Sequence, residues 1–124
     1  MNDREFIEQV RARPGMYGLN GTYHSTATFL IGFDQARSGG LLRGFDEWLA
    51  VRRGERSGAT WYAEVFREAL PGIPLRGWGQ RLAPEQDQTA VDLLFSLLCD
   101  FLEVRDDRRA LIRMYVDYEA LSGR

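Results

Sequence analysis

Residues 84–104, PEQDQTAVDLLFSLLCDFLEV, carry the strongest helical pattern in the chain. Pro84 suits the first turn of a helix, and the acidic residues just after it favour the positive end of the helix dipole. From Ala90 onward almost every residue is apolar. The polar exceptions lie on one narrow stripe: Asp92, Ser96, Asp100 and Glu103. Because a helix that is apolar around most of its circumference is normally surrounded by other elements, we predict that residues 88–104 form the centre of a helical bundle.

Five further helical patterns flank this segment, separated by Gly and Pro residues that end helices. The first starts at Asn2, because Asn2 and Glu5 have the spacing of a capping box, and it stops before Pro14. The next three are predicted at about the following ranges: 22–37, 45–53 and 60–70. Glycines at the ends of these ranges suit the left-handed conformation that often terminates a helix.

The last pattern carries Leu111 to Leu121 and is predicted to fray at Ser122-Gly123. Residues 71–83 have no helical repeat, but their apolar side chains indicate an ordered surface loop held in place by Trp78. No segment alternates between apolar and polar residues as a strand does. A chain of 124 residues has the size of one domain. We therefore predict a single all-α domain, residues 1–124, built as a bundle of about six helices.

The charge balance restricts the classes of partner. All sixteen positive residues are arginine, eighteen residues are acidic, and the net charge is −2. The charges are spread evenly, without the basic excess of a non-specific nucleic-acid binder. No run approaches the roughly 18 apolar residues of a membrane span. The lone Cys99 argues for a reducing compartment, and residues 1–5 lack the pattern of an export signal. We expect a cytoplasmic protein that binds no membrane, and the charge balance disfavours a nucleic-acid partner.

The residues that could carry a reaction are few. A metal site needs several ligands at short spacing, but the chain has one His and one Cys, 75 positions apart. His24 and Ser25 are adjacent, and neighbours on a helix point about 100° apart, so they form no catalytic dyad. We interpret both as surface residues at a helix start and Cys99 as a small core residue. We therefore expect no enzyme, no catalytic residue, no metal and no cofactor.

The acidic stripe of the 84–104 helix has two interpretations. Asp92, Asp100 and Glu103 could face solvent and simply keep the helix soluble. Alternatively, the stripe could face the bundle interior, where it would need arginine partners. The candidate partners follow it in the chain: Arg108, Arg109 and Arg113.

Aromatic residues point to a binding surface. Trp, Tyr and Arg are the residue types enriched where proteins bind one another. Two segments combine a Trp with nearby charges, and they are our candidate partner-binding residues. They are Asp46-Glu47-Trp48 with Arg52 and Arg53, and Arg76-Gly77-Trp78 with Arg81.

One string, Arg13-Pro14-Gly15-Met16-Tyr17, is distinctive. Physically it is a helix stop followed by a tight turn with two large side chains. It resembles the Arg-Pro-Gly-Met-Tyr-Ile-Gly segment of the ATPase domain of gyrase-type topoisomerases, in which a helix also follows. The likeness covers less than a fifth of the chain. Residues 33–36 lack that family's catalytic Glu and metal-binding Asn motif, so no ATPase residue is carried over.

The chain is also similar, over more of its length, to a group of small bacterial proteins. The likeness lies in the Arg13 to Tyr17 string, the segment 29–34 and the segment 44–49, and it extends to the acidic Leu- and Phe-rich helix. Small acidic proteins of this kind are often immunity proteins encoded beside a toxin. The resemblance implies an immunity protein, and our hypothesis is that it neutralises a cognate toxin by covering the toxin's active site. In this hypothesis Asp46 and Glu47 face cationic residues of the toxin, and Trp48 or Trp78 is the anchor.

Two other functions remain open at this point. A nucleotide-binding or enzymatic protein, distantly like the gyrase-type ATPases, would need a concave pocket with convergent polar groups. A helical DNA-binding regulator would use the short helices around residues 45–70, with Arg52, Arg53 and Arg56 on phosphates.

Overall fold

A computed structural model describes residues 1–121. Six α-helices connected by loops form these residues, and no strand occurs among them. Their bounds are α1 Asp3–Ala12, α2 Tyr23–Ala36, α3 Phe45–Arg53, α4 Trp61–Ala69, α5 Pro84–Arg105 and α6 Arg108–Glu119, with a 3₁₀ turn at Pro14–Tyr17. The predicted all-α fold of about six helices is confirmed. The predicted fraying at Ser122-Gly123 lies outside the described residues.

Local chemistry explains where the helices start. Asn2 accepts a hydrogen bond from the Glu5 backbone N–H at 2.8 Å, and the Glu5 side chain reaches back to the Asn2 N–H. This is the predicted capping box, which pairs two N–H groups that a helix start leaves free. Pro84 occupies the first turn of α5, where its missing N–H is not needed.

Helix α5 is the centre of the bundle, as predicted. It is 22 residues long and packs against α1, α2, α3, α4 and α6. Its largest fully buried side chains are Leu94, Leu98, Phe101 and Leu102, and Phe95 is almost fully buried. No helix within residues 1–121 is long and apolar enough to cross a membrane.

The acidic stripe of α5 faces solvent. Asp92, Asp100 and Glu103 are all exposed. Glu103 forms an ion pair with Arg4 of α1 at 2.7 Å, and Asp92 accepts a hydrogen bond from Gln88. The alternative that turned this stripe toward the bundle interior is wrong, because the apolar side chains of α5 occupy the interior instead.

The loop between α4 and α5 is ordered by its own hydrogen bonds and by one stacked ring. The Gln80 amide donates to the Pro74 carbonyl at 2.9 Å and accepts from the Arg76 N–H at 3.2 Å. Trp78 stacks on Tyr62 of α4 with 4.2 Å between ring centroids and 12° between planes. The loop therefore presents Trp78 in a fixed orientation, which agrees with the expectation for residues 71–83.

Candidate functional site

The first predicted binding segment is largely engaged within the protein. One Asp46 carboxylate oxygen accepts the Trp61 backbone N–H at 2.6 Å and so caps the start of α4. Desolvation raises the pKa of Asp46, and this hydrogen bond opposes the shift. Trp48 is half-buried and packs against Phe45 and Phe101. These contacts tie Asp46 and Trp48 to the helices around them, and neighbouring Glu47 is half-buried.

The two arginines of that segment are also paired. Arg52 binds Glu68 of α4 through both guanidinium nitrogens, at 2.6 and 2.9 Å. Arg53 pairs at 3.1 Å with Glu64, a buried carboxylate that Arg67 also contacts. Both arginines join α3 to α4, so their charges are already balanced inside the fold.

The second predicted segment is open to solvent. Trp78 is 52% exposed although one of its faces is stacked on Tyr62. Arg76 and Arg81 on the same loop are exposed. An indole that is both exposed and held in one orientation is the strongest candidate for an anchor on this protein.

The structure brings Trp78 and the Arg13 to Tyr17 string to one groove. The string forms the 3₁₀ turn after α1, and its Tyr17 ring packs edge-on against Phe6 and Phe29. Gly18 follows at a φ of 74°, a left-handed conformation that suits glycine. This turn leaves Met16 exposed at the surface, 70% accessible, beside Tyr17.

The groove has a volume of about 560 Å³ and is lined by aromatic, hydroxyl and amide side chains, without an acidic residue or an arginine. The lining residues are Tyr17, Gly18, Leu19, Asn20, Thr22, His24, Ser25, Thr28, Phe29, Trp78 and Gln80. Its size is in the range of small-molecule and side-chain binding pockets. Sixty residues of chain separate Tyr17 from Trp78, two aromatic residues of its lining, so only the tertiary fold assembles the groove.

His24, in the floor of this groove, is not the surface residue that the sequence predicted. It is 6% exposed, with its Nδ1 2.6 Å from the Tyr62 hydroxyl and its Nε2 3.2 Å from Gln80 Oε1. Gln80 Oε1 also accepts the Arg76 N–H, so it is an acceptor and His24 donates to it from Nε2. In the neutral form of the ring, Nδ1 then accepts the proton of the Tyr62 hydroxyl. Burial raises the pKa of Tyr62, which keeps that donor protonated.

This arrangement links the loop to the helices through His24. Both ring nitrogens of His24 are engaged away from Ser25, whose hydroxyl donates to Asn20 Oδ1 at 2.7 Å. The expectation that these neighbours form no dyad agrees with the geometry. No helical repeat relates His24, Tyr62 and Gln80, which is why sequence reasoning missed the linkage.

Other candidate reactive groups are occupied by structural contacts. Glu64 accepts hydrogen bonds from Ser57 at 3.0 Å and from Arg67, in addition to its ion pair with Arg53. Burial raises the pKa of Cys99, which favours an unreactive thiol. Within residues 1–121, no three His, Cys, Asp or Glu side chains cluster as metal ligands would. The Trp78 groove is therefore the best candidate for a functional site.

Comparison with known proteins adds no relative. No family model matches the chain, and no curated protein or solved structure shows significant similarity to it.

Proposed function

We propose that this chain is a binding protein that acts by docking the Trp78 groove onto a partner protein. The observation that carries the proposal is the indole of Trp78, half-exposed at the groove rim and fixed by Tyr62 and the loop hydrogen bonds. Aromatic anchors of this kind dominate the binding energy of many interfaces. Because Trp78 is already ordered, binding loses less side-chain entropy than it would with a mobile anchor.

The turn that carries Met16 and Tyr17 supports the same function. Met16 and Tyr17 belong to residue types enriched at interfaces, and Met16 is exposed on a turn that α1 and Phe29 hold in place. Tyr17 and Trp78 both line the groove, and no acidic residue or arginine lines it. Such a surface can admit one side chain of a partner and exclude water around it.

The partner that we propose is a bacterial toxin, and the chain would neutralise it by occlusion in the cytoplasm. The resemblance to small bacterial proteins supports this choice, and the single thiol of Cys99 is compatible with a reducing compartment. Occlusion needs shape and charge complementarity rather than catalytic residues. We take Trp78 as the anchor in preference to Trp48, because the Trp48 ring is committed to Phe45 and Phe101.

The test is co-expression with the product of the neighbouring gene. We expect the two proteins to purify in equal amounts. Trp78→Ala should weaken the complex about 10- to 100-fold, the loss typical of an interface anchor. Ile112→Ala, which removes an exposed apolar side chain from α6, is the matched control and should leave affinity unchanged.

Two outcomes would contradict the proposal. If no complex forms, the product of the neighbouring gene is not the partner. If Trp78→Ala leaves the complex intact, the interface lies outside the Trp78 groove. Measurements on the free protein separate the other functions. Stabilisation by ATP would indicate a nucleotide-binding protein, and DNA binding that falls steeply with salt would indicate a regulator. We expect neither effect.

A further inference from the structure

We infer that the Trp78 groove receives an acidic peptide segment of the partner, with an apolar side chain against Trp78 and carboxylates against the arginines around the groove. This inference rests on the proposed function and specifies the chemistry of the surface that the groove recognises. It differs from the expectation that Asp46 and Glu47 face a cationic partner.

The charge of the segments that form the groove differs from that of the rest of the chain. The two segments that form the groove, 13–29 and 71–83, contain no Asp or Glu. They contain three arginines, so their acidic and arginine side chains sum to +3 in a chain whose net charge is −2. All eighteen carboxylates lie in other segments. Arg76 and Arg81 each lie within three residues of Trp78, which lines the groove, whereas the acidic residue in contact with these segments, Asp87, is buried and accepts the Tyr23 N–H at 2.8 Å.

These arginines are not engaged in ion pairs within the described chain. Arg13, Arg76 and Arg81 are exposed, and none of them forms an ion pair with any of residues 1–121. Arg52 and Arg53, by contrast, are paired across two helices. Unpaired guanidinium groups at an interface rim attract an acidic partner and exclude a basic one. Their planar geometry also suits carboxylates.

The groove lining also carries hydrogen-bond donors that are free within the described residues. Asn20 uses only its Oδ1, as an acceptor, and its amide N–H groups, the Trp78 indole N–H and the Tyr17 hydroxyl make no hydrogen bond to residues 1–121. An extended peptide offers carbonyl acceptors to such donors.

The same features favour a peptide over a nucleic acid. A single-strand binder tracks phosphates along a positively charged groove. Here the groove lining is uncharged, and the exposed Met16 beside it suits an apolar side chain.

The test uses the full chain and three labelled probes, of which two are twelve-residue peptides and one is an oligonucleotide. One probe repeats Asp-Phe-Glu-Leu, the second repeats Arg-Phe-Lys-Leu, and the third is a twelve-nucleotide oligothymidine. Binding is followed by fluorescence anisotropy and by quenching of Trp fluorescence. We expect the acidic peptide alone to bind, and Trp78→Ala to weaken its binding.

Two charge reversals test the arginines against a matched control. The Arg76→Glu/Arg81→Glu variant should weaken binding of the acidic peptide about tenfold or more. The Arg108→Glu/Arg109→Glu variant changes the net charge equally, but at exposed positions on α6, and should leave affinity within about twofold. Equal losses in the two variants would overturn the inference, because they would show attraction by net charge only.

The remaining outcomes are also decisive. The inference is wrong if the basic peptide or the oligothymidine binds as tightly as the acidic peptide, or if the acidic peptide shows no binding at about 1 mM. A toxin complex that depends on Trp78 but not on Arg76 and Arg81 would refute this inference and leave the proposed function standing. Binding of the acidic peptide without any toxin complex would support this inference and contradict the proposed function.

Discussion

The Asp3 carboxylate at the start of α1 binds two guanidinium groups, those of Arg37 just after α2 and Arg105 at the end of α5. Burial acts to raise the pKa of Asp3, but hydrogen bonds and attraction from the two arginines outweigh it and hold the pKa below 3.8. A single side chain thus connects three helix ends. Because its pKa is lowered on folding, its contribution to stability depends on pH.

Asp3→Asn should lower the free energy of unfolding by about 1 kcal/mol at neutral pH, a modest value because Arg37 is largely exposed. The carboxylate stabilises the fold above the unfolded-state pKa, and this contribution is lost as the pH falls through the lower folded-state pKa. Urea denaturation should therefore show that the difference in free energy of unfolding between the unsubstituted protein and Asp3→Asn becomes smaller below about pH 4. The control is Asp92→Asn, which removes an exposed carboxylate without an arginine partner. A difference in free energy of unfolding that stays constant with pH would contradict the prediction.

The buried ring of His24 depends on one hydroxyl. Tyr62→Phe keeps both ring stacks of Tyr62 but removes the proton that His24 Nδ1 accepts. We expect a loss of about 1–3 kcal/mol, because a buried acceptor is left without a donor. Chemical denaturation measures the loss. Tyr115→Phe is the control, since the Tyr115 hydroxyl makes no hydrogen bond to residues 1–121. Equal stability of the two variants would show that the linkage contributes nothing.

At the scale of elements, the approach of α6 to the start of α3 depends on a glycine. Gly44 precedes α3 with a φ of 94°, and a Cβ there would lie 2.9 Å from the Tyr115 hydroxyl and 3.5 Å from the Phe101 ring. The backbone conformation therefore favours glycine, and a Cβ at this position would also force the Tyr115 side chain to move. Gly54, at the other end of α3, has a similar φ of 87°, but a Cβ there would meet no atom within 4 Å.

These two glycines separate backbone strain from steric contact. Gly54→Ala should cost about 1 kcal/mol through its backbone alone. Gly44→Ala should cost clearly more, about 2 kcal/mol or above, because the contact with Tyr115 adds to the strain. Adding Tyr115→Phe to Gly44→Ala should recover part of the loss. Equal costs at the two glycines, measured by thermal or urea unfolding, would rule out the steric contribution.

At the scale of the whole molecule, one apolar core surrounds α5. Side chains from α1, α2, α3 and α4 and from the 37–44 connection meet the buried face of this helix. A single core of this kind favours cooperative unfolding, in which all helices are lost together.

Leu98→Ala tests the core. Leu98 is 0% exposed, so the truncation should cost about 2–5 kcal/mol through lost burial and the cavity left behind. The unfolding transitions followed by circular dichroism and by Trp fluorescence should shift together. Ile112→Ala removes a side chain of the same size that is 56% exposed on α6, and it should change stability by no more than about 0.5 kcal/mol. Transitions that separate would indicate more than one folding unit.

Local sequence was sufficient to predict the helices and the central position of α5. The Asn2–Glu5 capping box, Pro84 at the start of α5 and Gly54 at the end of α3 all act within a few residues of chain. The apolar circumference of α5 likewise follows from its own sequence, because such a helix is stable only when other helices cover it. These features therefore needed no knowledge of the tertiary fold.

The groove depended on tertiary structure. Trp48 and Trp78 have similar surroundings in the sequence, yet Trp48 packs against Phe101 while Trp78 stacks on Tyr62 and stays half-exposed. His24 was predicted at the surface but is buried by Tyr62 and Gln80, which lie 38 and 56 residues away along the chain. Exposure and hydrogen-bond partners depend on which helix faces meet, and contacts between distant residues set that arrangement.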